Sequence, residues 1–303
     1  MAYKNNTNAK KCNVYEMVTN RIIEQLSNGE IPWHKPWHGI NSGAYNRVSK
    51  KPYSLMNQML LSHDGEYATY KQWQDMGGQV RKGEKAEIVV FWKMIDVKEE
   101  KDGETDKKKV PMLRYYSVFH VSQVDGVEPL DRGDAVEHEP IAEAEKIKND
   151  YMEREGIEIK EIFSNDAFYS PMGDFINIPA KEQYDDIAEF YATLFHEVVH
   201  SSGSETRLNR FSKNEKLAKF GSEDYSKEEL VAELGSAFLM NSVGIETPDT
   251  FKNSAAYIQS WLNVLKNDPK MIVSAASKAE KATEFILTGK KPSYVKDNDK
   301  AAA

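Results

Sequence analysis

The chain has 303 residues, a mass of 34.5 kDa, a net charge of −8 and a mean hydropathy of −0.65. A chain of this length can bury two hydrophobic cores without disulfides or metal staples. Its single cysteine, Cys12, excludes an intramolecular disulfide and a cysteine-rich zinc site. Neither a secretory leader nor an apolar run of about 18 residues is present, so the composition predicts a soluble cytoplasmic protein.

The charge is unevenly distributed along the chain. Residues 1–126 contain 19 Lys and Arg against 15 Asp and Glu, whereas residues 127–303 contain 21 against 33. Opposite signs in the two halves suggest separate partners, and the N-terminal half is the one that could meet a polyanion.

Helices followed by a β-hairpin are predicted for the N-terminal half. The predicted elements are a helix from Asn13 to Gly29, an extended segment over 31–38, helices over 54–61 and 69–77, and strands over 86–97 and 112–124. The two strands are rich in β-branched and aromatic residues and should pair. The charged residues 98–109 between them predict a mobile hairpin tip.

An acidic segment over 127–140, containing Pro129 and Gly133, predicts a linker between domains at 1–126 and 141–303. Such a linker would let the two halves move independently. The elements predicted after it are a helix over 141–155, strands over 157–163 and 175–178, an apolar helix over 187–202, and helices over 255–265 and 271–287. The order of elements predicts an α+β protein of two domains.

The apolar helix carries the motif HEVVH over residues 196–200, and Asp185 or Asp186 would cap its start. Histidines four residues apart project from one face of a helix, one turn apart, and can hold one metal ion. Zinc bound there would lower the pKa of its water, and Glu197 could take the proton from that water. The alternative is a buried amphipathic helix with a chance glutamate, but the chain has only 7 histidines, which favours the metal site.

A third protein ligand is expected downstream, because a catalytic zinc site uses three protein ligands and leaves one position open. Glu229 and Glu233 lie one helical turn apart. Glu229 is the predicted ligand, with Glu233 orienting a histidine from behind or serving as the alternative ligand. The competing interpretation is a capping box, in which Ser226 caps the helix and Glu229 binds back to it without any metal.

Aromatic and basic residues alternate in the N-terminal half, as in proteins that stack bases on rings and follow phosphates with cations. The candidate DNA-binding residues are Trp33, Trp37, Lys71, Trp73, Arg81, Lys82 and Lys85. Aromatic residues at such spacing are also common in cores, and Phe91-Trp92 in an apolar strand should point at least one ring inward. The pattern alone leaves both interpretations open.

With these motifs the chain resembles the ArdC family of antirestriction proteins from conjugative elements. The resemblance covers nearly the whole chain, and its most specific segments are 15–22, 31–37, 71–85, 196–210 and 228–238. It implies a single-stranded-DNA-binding domain followed by a zincin-type metallopeptidase domain with an HExxH helix. It also implies that zinc is held by His196, His200 and an acidic residue of the next helix, with Glu197 as the catalytic residue.

The chain has two candidate functions of different classes. The first is an antirestriction protein of a mobile element that binds single-stranded DNA and shields it during conjugation. The alternative is a zinc-dependent endopeptidase, for which DNA binding only localises a protein substrate. Neither function requires a membrane.

Overall fold

The computed structural model describes residues 13–28, 31–34, 43–101, 104–130, 140–211, 223–245 and 255–291. Its helices are α1 (Val14–Ser27), α2 (Leu55–Leu60), α3 (Tyr70–Asp75), α4 (Pro140–Glu155), α5 (Ile187–Ser201), α6 (Glu223–Ser242), α7 (Ala255–Asn267) and α8 (Met271–Thr288). Its strands are β1 (Ala44–Asn46), β2 (Gly65–Ala68), β3 (Gln79–Val80), β4 (Glu87–Lys101), β5 (Glu104–His120), β6 (Val124–Asp125), β7 (Glu158–Ile162), β8 (Phe168–Ser170) and β9 (Phe175–Pro179). The mixture of helices and strands confirms the predicted α+β class.

The helix starts agree with the capping residues of the sequence. The Asn13 side chain accepts from the backbone N–H of Tyr15 at the start of α1. Thr69 and Gln72 form a capping box at the start of α3, and the Asp186 side chain caps α5. The predicted end of α1 at Gly29 lies outside the described residues, as do residues 35–38 and 131–139.

A four-stranded sheet in the order β1-β2-β5-β4 lies in the N-terminal half. Strands β1 and β2 are parallel, and the other neighbouring pairs are antiparallel. The long hairpin of β4 and β5 pairs from Glu87 opposite Val118 to Lys101 opposite Glu104. The two strands thus extend further than the sequence predicted, residues 102–103 lie outside the described residues, and the mobility of the tip stays a prediction. The backbone ladder can continue into this charged stretch because strand pairing uses backbone groups and does not require apolar side chains.

In the C-terminal half a three-stranded sheet in the order β7-β9-β8 lies beside α5. The strands β1, β2, β3, β6 and β8 have two to four residues each and were not predicted. Such short segments cannot show the alternation by which a strand is recognised in sequence. Within the described ranges, no helix has both the length and the apolar composition needed to span a membrane.

One hydrophobic core contains residues of both halves. Val18 and Ile22 of α1 belong to the same cluster as Leu265 of α7 and Ala279 of α8. The hydroxyl of Thr19 also donates to the carbonyl of Pro269 at 2.7 Å. This shared packing argues against the independent movement that the acidic linker suggested, while the domain boundaries at 1–126 and 141–303 stay a prediction.

Candidate functional site

The helix α5 presents the HEVVH motif at the edge of the main core. Phe190, Leu194 and Val198 are buried along one side of α5 and hold it against the core. Because the two histidines are separated by one turn, His196 and His200 emerge next to each other on the side that faces α6. The apolar face of the sequence thus determines the direction in which both imidazoles point.

Three side chains from α5 and α6 converge on one point. The Nε2 atoms of His196 and His200 are 3.0 Å apart. The Glu229 carboxylate faces both rings, with Oε2 3.5 Å from Nε2 of His196 and Oε1 3.3 Å from Nε2 of His200. Among the described residues, these three form the group whose ligand atoms all lie within 4.8 Å of one another.

This donor set fits a divalent metal. Two imidazole nitrogens and one carboxylate make up the His₂Glu set of catalytic zinc sites. Two ligands at a normal zinc distance in tetrahedral geometry are separated by about 3.3 Å, which is close to the spacings between these three residues. The ligand set nevertheless remains a prediction.

A second carboxylate faces the far nitrogen of each imidazole. Oε1 of Glu233 lies 3.5 Å from Nδ1 of His196, and Oε1 of Glu228 lies 3.5 Å from Nδ1 of His200. Carboxylates in this position orient ligating histidines and set which nitrogen faces the metal. The role of Glu233 as an orienting partner of His196 stays a prediction, and Glu228 was not among the predicted site residues.

Arg210 holds Glu228 in place. Its guanidinium donates to both carboxylate oxygens of Glu228, at 2.7 and 3.2 Å, and to the carbonyl of Val199 at 2.6 Å. Arg210 therefore links the end of α5 to α6 directly behind His200. No spacing rule connects residues 200, 210 and 228, so sequence reasoning had no local signal for this arrangement.

The capping-box alternative is wrong, because α6 begins at Glu223, three residues before Ser226. Ser226 therefore lies inside the helix and cannot be its N-cap. The Glu229 side chain is directed at the histidines instead, which removes the competing explanation for a glutamate at that position.

The carboxylates strongly favour the protonated form of the imidazoles. Burial opposes the charge of His200, but Glu228 and Glu229 outweigh it and raise the pKa of His200 to about 10. Burial opposes the charge of His196 most strongly, but Glu229, Glu233 and Glu197 together outweigh it and raise the pKa of His196. Burial works against ionised Glu229 too, yet the two histidines hold its pKa well below the ordinary value. A metal ion binding here would have to displace protons from the imidazoles.

Glu197 follows His196 on α5, and its residue surface is only 8% exposed. Behind the motif, Arg207 is 4% exposed and makes a bidentate contact to Asp174, at 2.7 and 2.9 Å. Arg207 also donates to the carbonyl of Ser201 at 3.1 Å, and the hydroxyl of Tyr169 donates to Asp174. These contacts tie the end of α5 to the turn between β8 and β9.

Two of the tryptophans that were predicted to stack on DNA are buried. Trp33 is 1% exposed and Trp73 is 0% exposed, and the indole N–H of Trp73 donates to the carbonyl of Phe119 at 2.9 Å. Both rings are core residues, so neither can stack on a base in this structure. Trp37 lies outside the described residues.

Among the predicted cations, Lys71, Lys82 and Lys85 are exposed. Arg81 instead forms ion pairs with Glu84 at 2.9 Å and with Asp125 at 3.2 Å. Contact of these four residues with DNA stays a prediction. Two of them, Arg81 and Lys82, line a groove of about 570 Å³, whose other lining residues are Tyr70, Gln79, Val80, Glu84, Phe119 and Asp125.

Two protein families match different parts of the chain. The family described as the N-terminal domain of anti-restriction factor ArdC matches residues 12–119. The family described as zincin-like metallopeptidase matches residues 145–278. Fold and site thus define a protein with an ArdC-type N-terminal domain and a zincin-like metallopeptidase domain.

Similarity over the full length is equally clear. The metal-free crystal structure of antirestriction ArdC protein from the R388 plasmid aligns with a TM-score of 0.70 at 33% identity, covering 91% of this chain and 97% of that one. Its Mn(II)-bound structure aligns with the same TM-score at 32% identity. The protein y4eC of Sinorhizobium fredii is 34% identical over 289 residues, which cover 90% of this chain and 91% of that protein. The chain belongs to the ArdC family of antirestriction proteins.

Two relatives are much longer than this chain. A protein named DNA primase TraC from Escherichia coli is 34% identical over 295 residues, and this chain spans 27% of its length. A second Escherichia coli TraC is 33% identical, and this chain spans 20% of it. The chain therefore corresponds to one part of each TraC protein.

Proposed function

We propose that this ArdC-family protein binds single-stranded DNA of a mobile element in the cytoplasm and protects it from restriction during conjugation. Its zincin-like domain holds a zinc ion at His196, His200 and Glu229. The observation that supports the metal centre best is the convergence of these three donors, each imidazole being backed by a further carboxylate.

The donor set favours zinc. Imidazole nitrogens with one carboxylate suit zinc well, although related transition metals also accept them. The Mn(II)-bound ArdC structure supports a divalent ion in this family. When bound, zinc would polarise a carbonyl group and lower the pKa of a water molecule at the open position.

The chain's own residues have distinct tasks in this proposal. His196 and His200 present Nε2 toward the metal position, because Glu233 and Glu228 face their Nδ1 atoms. Glu197, next to His196 and largely buried, would accept a proton from a nucleophilic water. Arg210 and Glu228 keep the ring of His200 from turning away.

Binding to single strands is supported by the family and by the N-terminal composition. The proposal predicts that affinity falls as salt rises, with a slope of about 0.7 per phosphate contact on single strands. The test is fluorescence anisotropy with labelled single-stranded and duplex oligonucleotides over a salt series. A preference for duplex, or an affinity that does not respond to salt, contradicts the proposal.

A second candidate function is zinc-dependent endopeptidase activity, with DNA binding serving only to localise a protein substrate. The position of Glu197 directly beside the histidines favours it. Glu197→Gln should keep the metal and lose hydrolysis, because the amide cannot accept the proton, whereas His196→Ala should lose both. The measurements are metal content and peptide cleavage with and without single-stranded DNA, together with protection of transferred DNA. If no peptide is cleaved and protection survives Glu197→Gln, the endopeptidase candidate is rejected and the metal centre is structural.

A further inference from the structure

One face of the hairpin formed by β4 and β5 carries aromatic and basic side chains toward solvent. In this antiparallel ladder Phe91 lies opposite Arg114, and Lys93 lies opposite Met112. Directly opposite residues point to the same side, and every second residue of a strand shares that side. Phe91, Lys93, Met112, Arg114 and Tyr116 therefore share one face, here called the hairpin face.

One end of the hairpin face adjoins a buried cluster, and the rest of the face is exposed to solvent. Val89 and Val118 are 1% exposed each and lie in a cluster with Tyr53 and Tyr67. Further along the same face, Phe91 is 44% and Tyr116 is 40% exposed. The Phe91 ring packs edge-on against Tyr116 at 5.9 Å and is also 6.3 Å from Tyr53. The exposed rings are thus held by their neighbours without being covered.

The two charged residues of the hairpin face are both basic. Lys93 and Arg114 are both exposed. Neither forms an ion pair or hydrogen bond within the described part of the chain. The groove beside Lys82 is different, because Glu84 and Asp125 also line it and both pair with Arg81. An anionic ligand would meet uncompensated cations at the hairpin face and acidic neighbours at the groove.

We propose that the hairpin face is the surface that holds single-stranded DNA, with bases stacking on Phe91 and Tyr116 and phosphates meeting Arg114 and Lys93. Rings with cations between them on an open sheet are the arrangement used by many proteins that bind single strands. A duplex keeps its bases stacked on each other and so offers no free base faces to these rings. This inference rests on the proposed binding of single-stranded DNA and specifies where that binding occurs.

The opposite side of the same hairpin supplies matched controls. Tyr115 is 44% exposed, adjacent to Tyr116 in sequence, and lies on the other face, where it pairs with Val90. Lys109 is exposed and lies opposite Asp96 in the strand ladder, also on that other face. Tyr115→Ala removes the same ring as Tyr116→Ala, and Lys109→Ala removes one positive charge as Arg114→Ala does, both without changing the hairpin face.

The experiment measures the affinity of the full chain for a labelled single-stranded oligonucleotide by fluorescence anisotropy over a salt series. Tyr116→Ala should weaken binding roughly 5- to 150-fold at every salt concentration, whereas Tyr115→Ala should change it less than about twofold. Arg114→Ala should reduce the salt slope by about 0.7, and Lys109→Ala should leave it unchanged. Tyr116→Phe keeps the ring and should bind as the unchanged protein does, which separates stacking from a contact of the hydroxyl, and a cooperative urea unfolding transition of Tyr116→Ala shows that this variant still folds.

Each result has a definite meaning. If the unchanged protein binds no single strands, the proposed function fails and this inference fails with it. If the unchanged protein binds but Tyr116→Ala and Arg114→Ala match their controls, the hairpin face is not the binding surface, although the proposed function stands. A loss caused equally by Tyr115→Ala and Tyr116→Ala would likewise overturn the assignment to one face.

Discussion

At the scale of single residues, three glutamates surround two imidazoles, and the position of each glutamate indicates its role. Glu229 faces Nε2 of both histidines, whereas Glu233 and Glu228 each face one Nδ1. A carboxylate at the common side of both rings can bind the same ion as the rings do. A carboxylate behind a ring can only orient it.

The first prediction concerns zinc affinity in three glutamate variants. Glu229→Ala should lose zinc almost completely, because it removes a ligand. Glu228→Ala and Glu233→Ala should weaken zinc binding only about 10- to 100-fold, because they remove partners of the ligands. The measurement is competition for zinc against a chromophoric chelator at fixed pH.

The exposed Glu284 on α8 offers a control, since Glu284→Ala leaves the metal centre intact and should bind zinc normally. If Glu229→Ala keeps its full zinc affinity while Glu233→Ala binds no zinc, the ligand is Glu233, one turn further along α6. If both variants keep zinc, the third ligand lies elsewhere.

At the scale of elements, the proposed metal centre depends on how closely α5 and α6 approach. Gly235 of α6 faces the fully buried Val199 of α5. A Cβ atom at Gly235 would lie 2.8 Å from Cγ2 and 3.0 Å from Cγ1 of Val199. A valine has little rotamer freedom in a helix, so it cannot turn away without strain. The glycine thus permits the spacing that brings Glu229 to the histidines.

The second prediction is that Gly235→Ala destabilises the protein. The overlap should cost about 1–3 kcal/mol, and the better helix propensity of alanine should return up to about 1 kcal/mol. The free energy of unfolding, measured by urea denaturation, should fall, and zinc affinity should fall with it. Adding Val199→Ala supplies the missing space, so the double variant should show a favourable coupling energy. Purely additive effects of the two substitutions would show that the helices do not meet here.

A partly buried ion-pair cluster connects α4 to α5 and predicts how stability changes with pH. The Glu145 carboxylate accepts from Lys181 at 2.6 Å and from Tyr191 at 2.7 Å, and it pairs with Lys148 at 2.8 Å. Burial works against the charge of Glu145, but these three partners outweigh it and lower its pKa from 4.5 to about 2. A carboxylate with a lowered pKa stabilises the folded state fully above its unfolded pKa and loses that contribution as pH falls.

The third prediction is therefore that stability decreases between a pH of about 4.5 and about 2, and that Glu145→Gln makes this decrease shallower. The free energy of unfolding in urea, measured at several pH values, provides the comparison. Glu153→Gln, an exposed change on the same helix, should leave the pH dependence as it was. Identical pH profiles for Glu145→Gln and the unchanged protein would refute the assignment.

At the scale of the whole molecule, the two halves share one core, and the fourth prediction follows from this sharing. Ile22 of α1 is 0% exposed and packs in the cluster that also contains α7 and α8 residues. Ile22→Ala should cost about 2–5 kcal/mol. The loss should reach the C-terminal half, so hydrogen exchange in α5 and α8 should become faster as well.

Ile22→Val provides a graded comparison, because it should cost only about 0.5–1.5 kcal/mol and accelerate exchange correspondingly less. Unchanged protection of α5 and α8 in Ile22→Ala would mean that the halves unfold separately. That result would restore the independent movement that the acidic segment over 127–140 suggested.

The features determined by the sequence alone are those that depend on neighbouring residues. The histidine pair follows from the period of a helix, and the starts of α1, α3 and α5 follow from the side chains of Asn13, Thr69 and Asp186. The paired strands follow from their composition, and membership of the ArdC family follows from motifs along the whole chain.

Only the tertiary structure decided which distant groups meet and which rings reach the surface. The spacing of 229 and 233 allowed either glutamate to face the histidines, and the packing of α6 on α5 placed Glu229 at both Nε2 atoms. The tryptophans at 33 and 73 were indistinguishable in sequence from stacking residues, and long-range packing placed both in the core. Burial and contact depend on elements far apart in the chain, which a local pattern cannot contain.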